Sequence, residues 1–558
     1  MEKRALLAFV LSLAVLLFWE LYFGLYRAPE TPPQQESAPL ATAPGTTQPA
    51  PVPGVAIESI PPKALPGDRL TALAEGFKKW TLDTPLYDMD IAAPGARINS
   101  VRLDKFRMAV NPESPPMELV PTQVSGYLPL AVDLLQHPEW QLATRAYSSQ
   151  SPSSVQVSAE TTQQPVAFSV EVPGQVQVSK TFTAVPGTYD IDVDIRLKNI
   201  SAEKLTDQVG ISFYFQPYGD LQKEDSYNLS RLALYAKGTL STFAPKDLAE
   251  KEEIFRPPLS WVGYENNYFI QAIIPLEEQG FQIVPRVLDA GKELIQLVYL
   301  TDPFLLDAQQ EKSLKFRLYM GPKELSQLGQ AGHHLSEAID YGWFTFLAKP
   351  SVHVLNWLYK YTHNYGIAII LITVLIKIIF WPLTQKSYKS MQAMKKIQPK
   401  IQQLREKYKD DREKMNTELM ALYKTYKVNP LGGCLPMVLQ IPVFFALYRM
   451  LYGAVELRHE PFMLWINDLT APDRLDIGIA IPYLGGIPVL TIFMGISMFI
   501  QQKMTPTGGD PRQEQMMLLM PVIFTVFFVN FPAGLVLYWL VNNVLSIAQQ
   551  YMINRSAA

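Results

Sequence analysis

The stretch YGIAIILITVLIKIIFWPL, residues 365–383, governs how the rest of the chain is read. It is apolar for about the length needed to cross a bilayer, yet it carries one charge, Lys377. An ammonium facing lipid is costly, so Lys377 needs either a polar cavity or an escape route. Two readings stand side by side. In one, the long stem snorkels toward the headgroups and keeps its head hydrated. In the other, the charge lines a water-accessible groove that attracts acidic or polar segments. Thr373, four residues earlier and so on the same helical face, favours the groove.

C-terminal to this stretch the chain stays membrane-like. Spans are expected at about 355–383, 432–455, 482–503, 516–531 and 534–551. The loop 384–430 is dense in Lys and Arg, while the loop from Glu456 to Asp476 is mainly acidic, which places the first in the cytoplasm and the second outside. The spans contain further polar groups, Gln440 in PMVLQIPVFF and Asn542 beside Asn543 in LVLYWLVNNVL, and Trp539 shares a helical face with Asn542. Interhelical hydrogen bonds would account for each polar group singly. Together with Lys377 they permit a polar-walled cavity.

The basic loop has its own pattern. Met391, Met394, Ile401, Leu404 and Tyr408 recur at helical steps, as do Met415, Leu419, Leu422 and Tyr426. Lys409-Asp410-Asp411 between them makes a polar turn, so the expectation is a hairpin of two amphipathic helices, with Pro399 kinking or locally breaking the first. Lys395 and Lys396 belong to a charged exterior suited to anionic lipid or a partner.

N-terminal to the decisive stretch the chain is different. Residues 1–26 open MEKR and continue apolar into an aromatic cluster at Phe18, Trp19, Tyr22 and Phe23, with no small-x-small site, as expected of an uncleaved N-in anchor. A cleaved signal is the competing reading. Residues 27–66 are rich in Pro, Ala, Thr and Gln and read as a tether. Across 67–335 the pattern is period two, clearest at Tyr189, Ile191, Val193, Ile195 and Leu197, with Pro-Gly turns at 173–174 and 186–187. That predicts a large antiparallel β domain of sandwich type outside the cytoplasm.

Composition agrees with such a mixture: 48% of residues are hydrophobic and 18% charged, and the net charge is only −3. No nucleic-acid or nucleotide motif, cofactor or metal signature and no small-molecule site is expected, and the single Cys434 excludes an intramolecular disulfide. A solute transporter is disfavoured by the missing internal repeat. A sugar-modifying enzyme is disfavoured because His137 is the only histidine between Leu70 and Leu325 and no acid–base pair stands out.

The segments KVNPLGGCLPMVLQIPVFFALYRML (427–451) and MPVIFTVFFVNFPAGLVLYWLVNN (520–543) resemble signature regions of the YidC insertase family. PLT at 382–384, followed by MQAMKKIQPKI at 391–401, is similar to that family's cytoplasmic hairpin. WVGYENNYFIQAIIP at 261–275 and the layout of the N-terminal half look like its members with a large periplasmic domain. The resemblance implies a mixed fold: six transmembrane helices in total and a periplasmic β-supersandwich, with both termini cytoplasmic, in a bacterial inner membrane. It also implies a core at 336–558 whose hydrophilic groove, open to the cytoplasm and to lipid, passes nascent membrane-protein clients into the bilayer, alone or with the Sec translocon and ribosome. By this resemblance the client groove has its positive charge at Lys377, where the family usually has Arg, its Thr at Thr373 and its aromatic pair at Tyr538 and Trp539; Gln440 and Asn542, polar groups within apolar spans, are the further candidates for its wall. The hairpin 384–430 contributes Met391, Met394, Lys395, Lys396, Pro399, Tyr408, Asp410 and Asp411. Such a protein is no enzyme.

Overall fold

The computed structural model describes residues 76–556 apart from 159–163, 219–229, 251–252, 278–279, 410, 427, 429–434, 479–480, 482–483 and 505–510. The expected anchor, the tether, Asp410 and Cys434 lie outside the described residues.

Alternating apolar residues build the first part. In Val176–Ala184 and Asp190–Asn199 the buried side chains include Val176, Val178, Phe182, Ile191, Val193, Ile195 and Leu197, because successive residues leave a strand on opposite faces. Both strands belong to an eight-stranded antiparallel sheet. Its order is Thr239–Phe243, Arg231–Ala236, Leu259–Glu265, Phe269–Pro275, Glu311–Pro322, Asp190–Asn199, Val176–Ala184 and Val166–Val172. Register places Phe168 opposite Lys180, Phe182 opposite Val193, and Val193 opposite Phe316, so all of these share one face. A five-stranded sheet packs there through Trp80, whose ring meets Phe168 edge-on at 5.1 Å. A four-stranded sheet packs on the same face through Tyr299, 4.7 Å from Phe316. The domain is thus a sandwich of antiparallel sheets, with, among the described residues, one parallel pair between Lys79–Asp83 and Ser154–Gln156.

Lys180 occupies a core position of this register and is fully buried. Its ammonium donates to the carbonyls of Gly95 at 2.6 Å and Leu130 at 2.7 Å, across the sandwich. Carbonyl oxygens replace the lost water, so a cation there ties the two layers together.

Among the described residues seven α-helices carry the second part: α1 (Thr345–Thr362), α2 (Tyr365–Lys407), α3 (Arg412–Thr425), α4 (Leu435–Gly453), α5 (Val489–Met504), α6 (Pro511–Phe528) and α7 (Ala533–Ser556). The span expected from 355 is divided. His363 turns left-handed at φ 49°, and the Asn364 side chain caps α2 by accepting from the Ile367 N–H at 3.0 Å. From there α2 runs 43 residues without a break through Pro382 and Pro399. Of the two effects expected at Pro399, a kink or a local break, the helix shows no break: Ile397 and Ile401 on either side of it are both buried against Val428, Leu419, Leu422 and Tyr423. Packing on both flanks holds the helix across one missing hydrogen bond. The span expected from 482 begins only at Val489, because Ile487 exchanges backbone bonds with Leu475 at 2.8 and 2.9 Å.

Among the described residues one helix, α2, is long and apolar enough to cross a bilayer, and α5 and residues 517–528 are shorter apolar helices. Only 28% of the most apolar stretch of α2 is buried within the protein. Ile378, Ile379, Phe493, Ile496, Val522 and Val526 on α2, α5 and α6 are exposed. An outward-facing apolar surface on several neighbouring helices is what a lipid environment requires and water penalises.

Candidate client groove

Three helices supply a polar interior. Thr373 on α2, Thr491 and Ser497 on α5, and Asn542, Asn543, Ser546, Gln549 and Gln550 on α7 are all buried. On α7 the steps Tyr538, Asn542, Ser546 and Gln550 are each one turn apart, so one stripe of that helix is polar.

Lys377 meets this stripe. It is half-buried, and its Nζ donates to Ser546 Oγ at 2.7 Å. Ser546 Oγ in turn donates to the Asn542 carbonyl at 2.7 Å. With its only proton committed there, the Ser546 oxygen must serve Lys377 as an acceptor. Tyr388, one further α2 residue, is also hydrogen-bonded to Ser546. None of the described carboxylates forms an ion pair with Lys377. An ammonium has three donors, and the bond to Ser546 uses one of them.

The other expected groove residues divide. Gln440 and Tyr538 are hydrogen-bonded to each other, joining α4 to α7. Trp539 is half-buried among Phe444, Phe524 and Phe528, with ring centroids 4.6, 6.1 and 4.9 Å away. Thr373 lies one turn from Lys377, but its hydroxyl donates to the Ile369 carbonyl of its own helix at 2.6 Å, so it offers no free donor. Asn542 enters through its carbonyl, and its neighbour Asn543 donates to Ser497 Oγ on α5 at 3.0 Å.

Sequence reasoning passed over Ser546, Tyr388, Ser497, Gln549 and Gln550. Ser546 was within reach, since it stands one turn beyond Asn542. Tyr388 was not, because α2 was expected to end its span near 383.

In the hairpin, Met394 packs with Ile397, Ile401, Val428, Leu419, Leu422 and Tyr423. Met391 and Tyr408 are half-buried, whereas Lys395, Lys396 and Pro399 are exposed. The Lys407 and Lys414 ammonium groups sit over the Tyr408 ring at 5.3 and 5.6 Å. Asp411 caps α3, accepting from the Lys414 N–H at 3.0 Å. Tyr426, expected in the apolar stripe, is instead exposed, with the Lys400 ammonium hydrogen-bonded to its hydroxyl. Tyr423 and Val428 fill its place, because the chain leaves helical geometry after Thr425.

A family model described as "60Kd inner membrane protein" matches residues 357–558, and one described as "YidC periplasmic domain" matches residues 79–354. The membrane protein insertase YidC of Syntrophobacter fumaroxidans is 62% identical over 557 residues, covering 100% of both chains. The chain belongs to the YidC insertase family. The YidC of Syntrophus aciditrophicus is 40% identical, again across 100% of both chains. A crystal structure of an active YidC insertase with its first transmembrane domain resolved aligns at TM-score 0.35 and 18% identity, covering 86% of this chain and 94% of that one. Membership makes the chain an inner-membrane insertase and not an enzyme.

Proposed function

We propose that this YidC-family chain inserts membrane proteins by receiving their short polar segments beside Lys377, while their apolar segments partition into lipid along the exposed faces of the helices. The observation that carries this reading is the Lys377 ammonium, held at 2.7 Å by a neutral hydroxyl and ion-paired with none of the described carboxylates. A charge at membrane depth is costly, and a protein keeps one there for a use. Hydrating a client's polar tail within the bilayer lowers the barrier to its passage, and for acidic tails the membrane potential adds about 2.3 kcal/mol per charge per 100 mV.

In this reading residues 1–26 are an anchor, 27–66 a tether, 67–335 a periplasmic β domain, and 336–558 the insertase core with its cytoplasmic hairpin at 384–430. There are six spans, and both termini lie in the cytoplasm. Lys377, Gln440, Tyr538, Trp539 and Asn542 line the client groove, with Thr373 contributing shape rather than a donor. The exposed Lys395 and Lys396 suit a ribosome or anionic lipid, and the chain works alone or with the Sec translocon. The test is purified protein in liposomes with a short single-span client and protease protection as readout. Protection above that of empty liposomes is expected. Equal protection without the protein overturns the proposal.

A further inference from the structure

We infer that the outward crevice between α5 and α7 is a binding site for one anionic phospholipid, whose acyl chain lies along the crevice and whose phosphate is held by Lys503 and Arg555. The crevice has a volume of about 530 Å³ and is lined by Phe493, Ile496 and Ile500 on α5 and by Leu540, Val544 and Ile547 on α7. That is the size and the apolar character of a small-ligand site. Phe493, Ile496, Ile500 and Val544 are exposed, so it is open along its length to whatever surrounds the helices. It is separate from the client groove. Asn542 and Ser546, which belong to the polar stripe at Lys377, stand two residues to either side of Val544, and two residues turn a helix by about 200°. The crevice therefore lies on the opposite side of α7. Beneath it the Asn543 amide donates to Ser497 Oγ at 3.0 Å and closes the wall between α5 and α7.

Both helices turn positive at the same end of the crevice. Lys503 follows Ile500 by three residues and Ile496 by seven, the steps that keep a side chain on one helical face. Arg555 follows Val544 by eleven residues, about three full turns, and so shares its stripe. Gln550 Nε2 donates to the Met504 carbonyl at 2.8 Å, which sets the end of α5 about one and a half turns before Arg555. Both cations are exposed, and neither is paired with a described carboxylate; the Lys503 ammonium lies over the exposed Phe499 ring at 5.3 Å. A cation in the last turn of a helix is favoured by the dipole in any case, but that does not account for an apolar crevice leading to two of them. Length decides the occupant. From Phe493 to Lys503 is ten residues, about 15 Å of helix and half of the ~30 Å hydrocarbon core. The crevice is thus one leaflet deep, with its cations where that leaflet's phosphates lie. Asn554 meets Gln392 of α2 at this end, so the leaflet is the one on the hairpin side. A protein helix would fill the crevice but bring no anion to Lys503 and Arg555, whereas an anionic lipid satisfies both parts at once.

The purified full chain in a non-ionic detergent is titrated with phosphatidylglycerol or phosphatidylcholine and followed by native mass spectrometry. One phosphatidylglycerol should bind about thirtyfold more tightly than phosphatidylcholine, near fivefold for each cation. Lys503→Gln with Arg555→Gln should remove that preference and leave phosphatidylcholine binding unchanged. Val544→Trp, which fills the crevice, should weaken both lipids alike. In vesicles, phosphatidylglycerol with a photoactivatable acyl chain should label residues 493–504 and 540–551 of the wild type. Equal binding of the two lipids by the wild type overturns the proposal, as does a preference that survives the double variant, binding indifferent to Val544→Trp, or labelling confined to other helices. A benzophenone attached at Ile496→Cys, with Cys434→Ser as background, tests the other occupants: cross-linking to a second copy or to a single-span client in place of lipid also overturns it. Thermal melting checks folding, and if Val544→Trp does not fold, Ile500→Trp takes its place under the same criteria.

Discussion

Replacing Lys377 should change insertion in proportion to the charge on the client. At ~8 Å and an effective dielectric constant of about 20, one pair of unit charges interacts by about 2 kcal/mol. Lys377→Gln should therefore cost an acidic-tailed client about 2 kcal/mol, close to 30-fold in insertion rate, and Lys377→Glu up to about twice that energy before screening by groove water. Lys377→Arg keeps the charge and should retain insertion. Folding should survive the neutral change, because Ser546 Oγ keeps its bond to the Asn542 carbonyl and loses only one partner, a loss of about 1 kcal/mol. The assay compares a matched pair of single-span clients, acidic and neutral in the translocated tail, at equal expression of each variant, with folding checked by thermal melting. The neutral-tailed client should change little across the series. Equal yields for both clients with Lys, Arg, Gln and Glu at this position refute the charge mechanism and leave Lys377 a structural residue.

Burial pushes the Glu456 carboxyl up to about 7, with nearby Glu324 adding to the shift and a hydrogen bond from Asn356 opposing it. Its folded-state value exceeds its unfolded one, so its contribution is most favourable below about pH 4.5 and is lost as pH rises to about 7, by an amount on the order of 3 kcal/mol. Thermal melting should show wild type losing stability from pH 5 to 8 and Glu456→Gln losing less; parallel curves count against this assignment. Ile401→Ala empties the hairpin's small core and should cost about 2–4 kcal/mol locally, read as faster proteolysis between residues 400 and 426; an unchanged rate counts against a packed hairpin. Lys409→Cys should resist an impermeant thiol reagent in cells with a sealed inner membrane, and prompt labelling there overturns the proposed topology.

Much of the architecture was legible because it rests on periodicity. Alternation at Ile191, Val193, Ile195 and Leu197 predicts a strand with one buried face, and Asp190–Asn199 is that strand. The uninterrupted apolar run at 365–376 likewise predicts a helix that contains Lys377. Local pattern suffices where a residue's environment is set by its neighbours in the chain. It misled where a distant contact outweighed a local preference. The helix passes Pro399 because Val428 and α3 hold both its flanks, and α5 starts late because Ile487 is bonded to Leu475.

The polar interior divides in the same way. Lys377, Gln440, Tyr538 and Asn542 stand out in the sequence because charged or polar groups are expensive in apolar segments. Which of them meet was decided only by the packing of α2 and α4 against α7, which brings Ser546 to Lys377 and Tyr538 to Gln440 while Thr373 turns back on its own helix. Lys180, in a strand that reads as ordinary alternation, is a buried cation only because the carbonyls of Gly95 and Leu130 converge on it from the opposite layer. A hydrogen bond depends on where two atoms lie in space, and sequence determines that only through the whole fold.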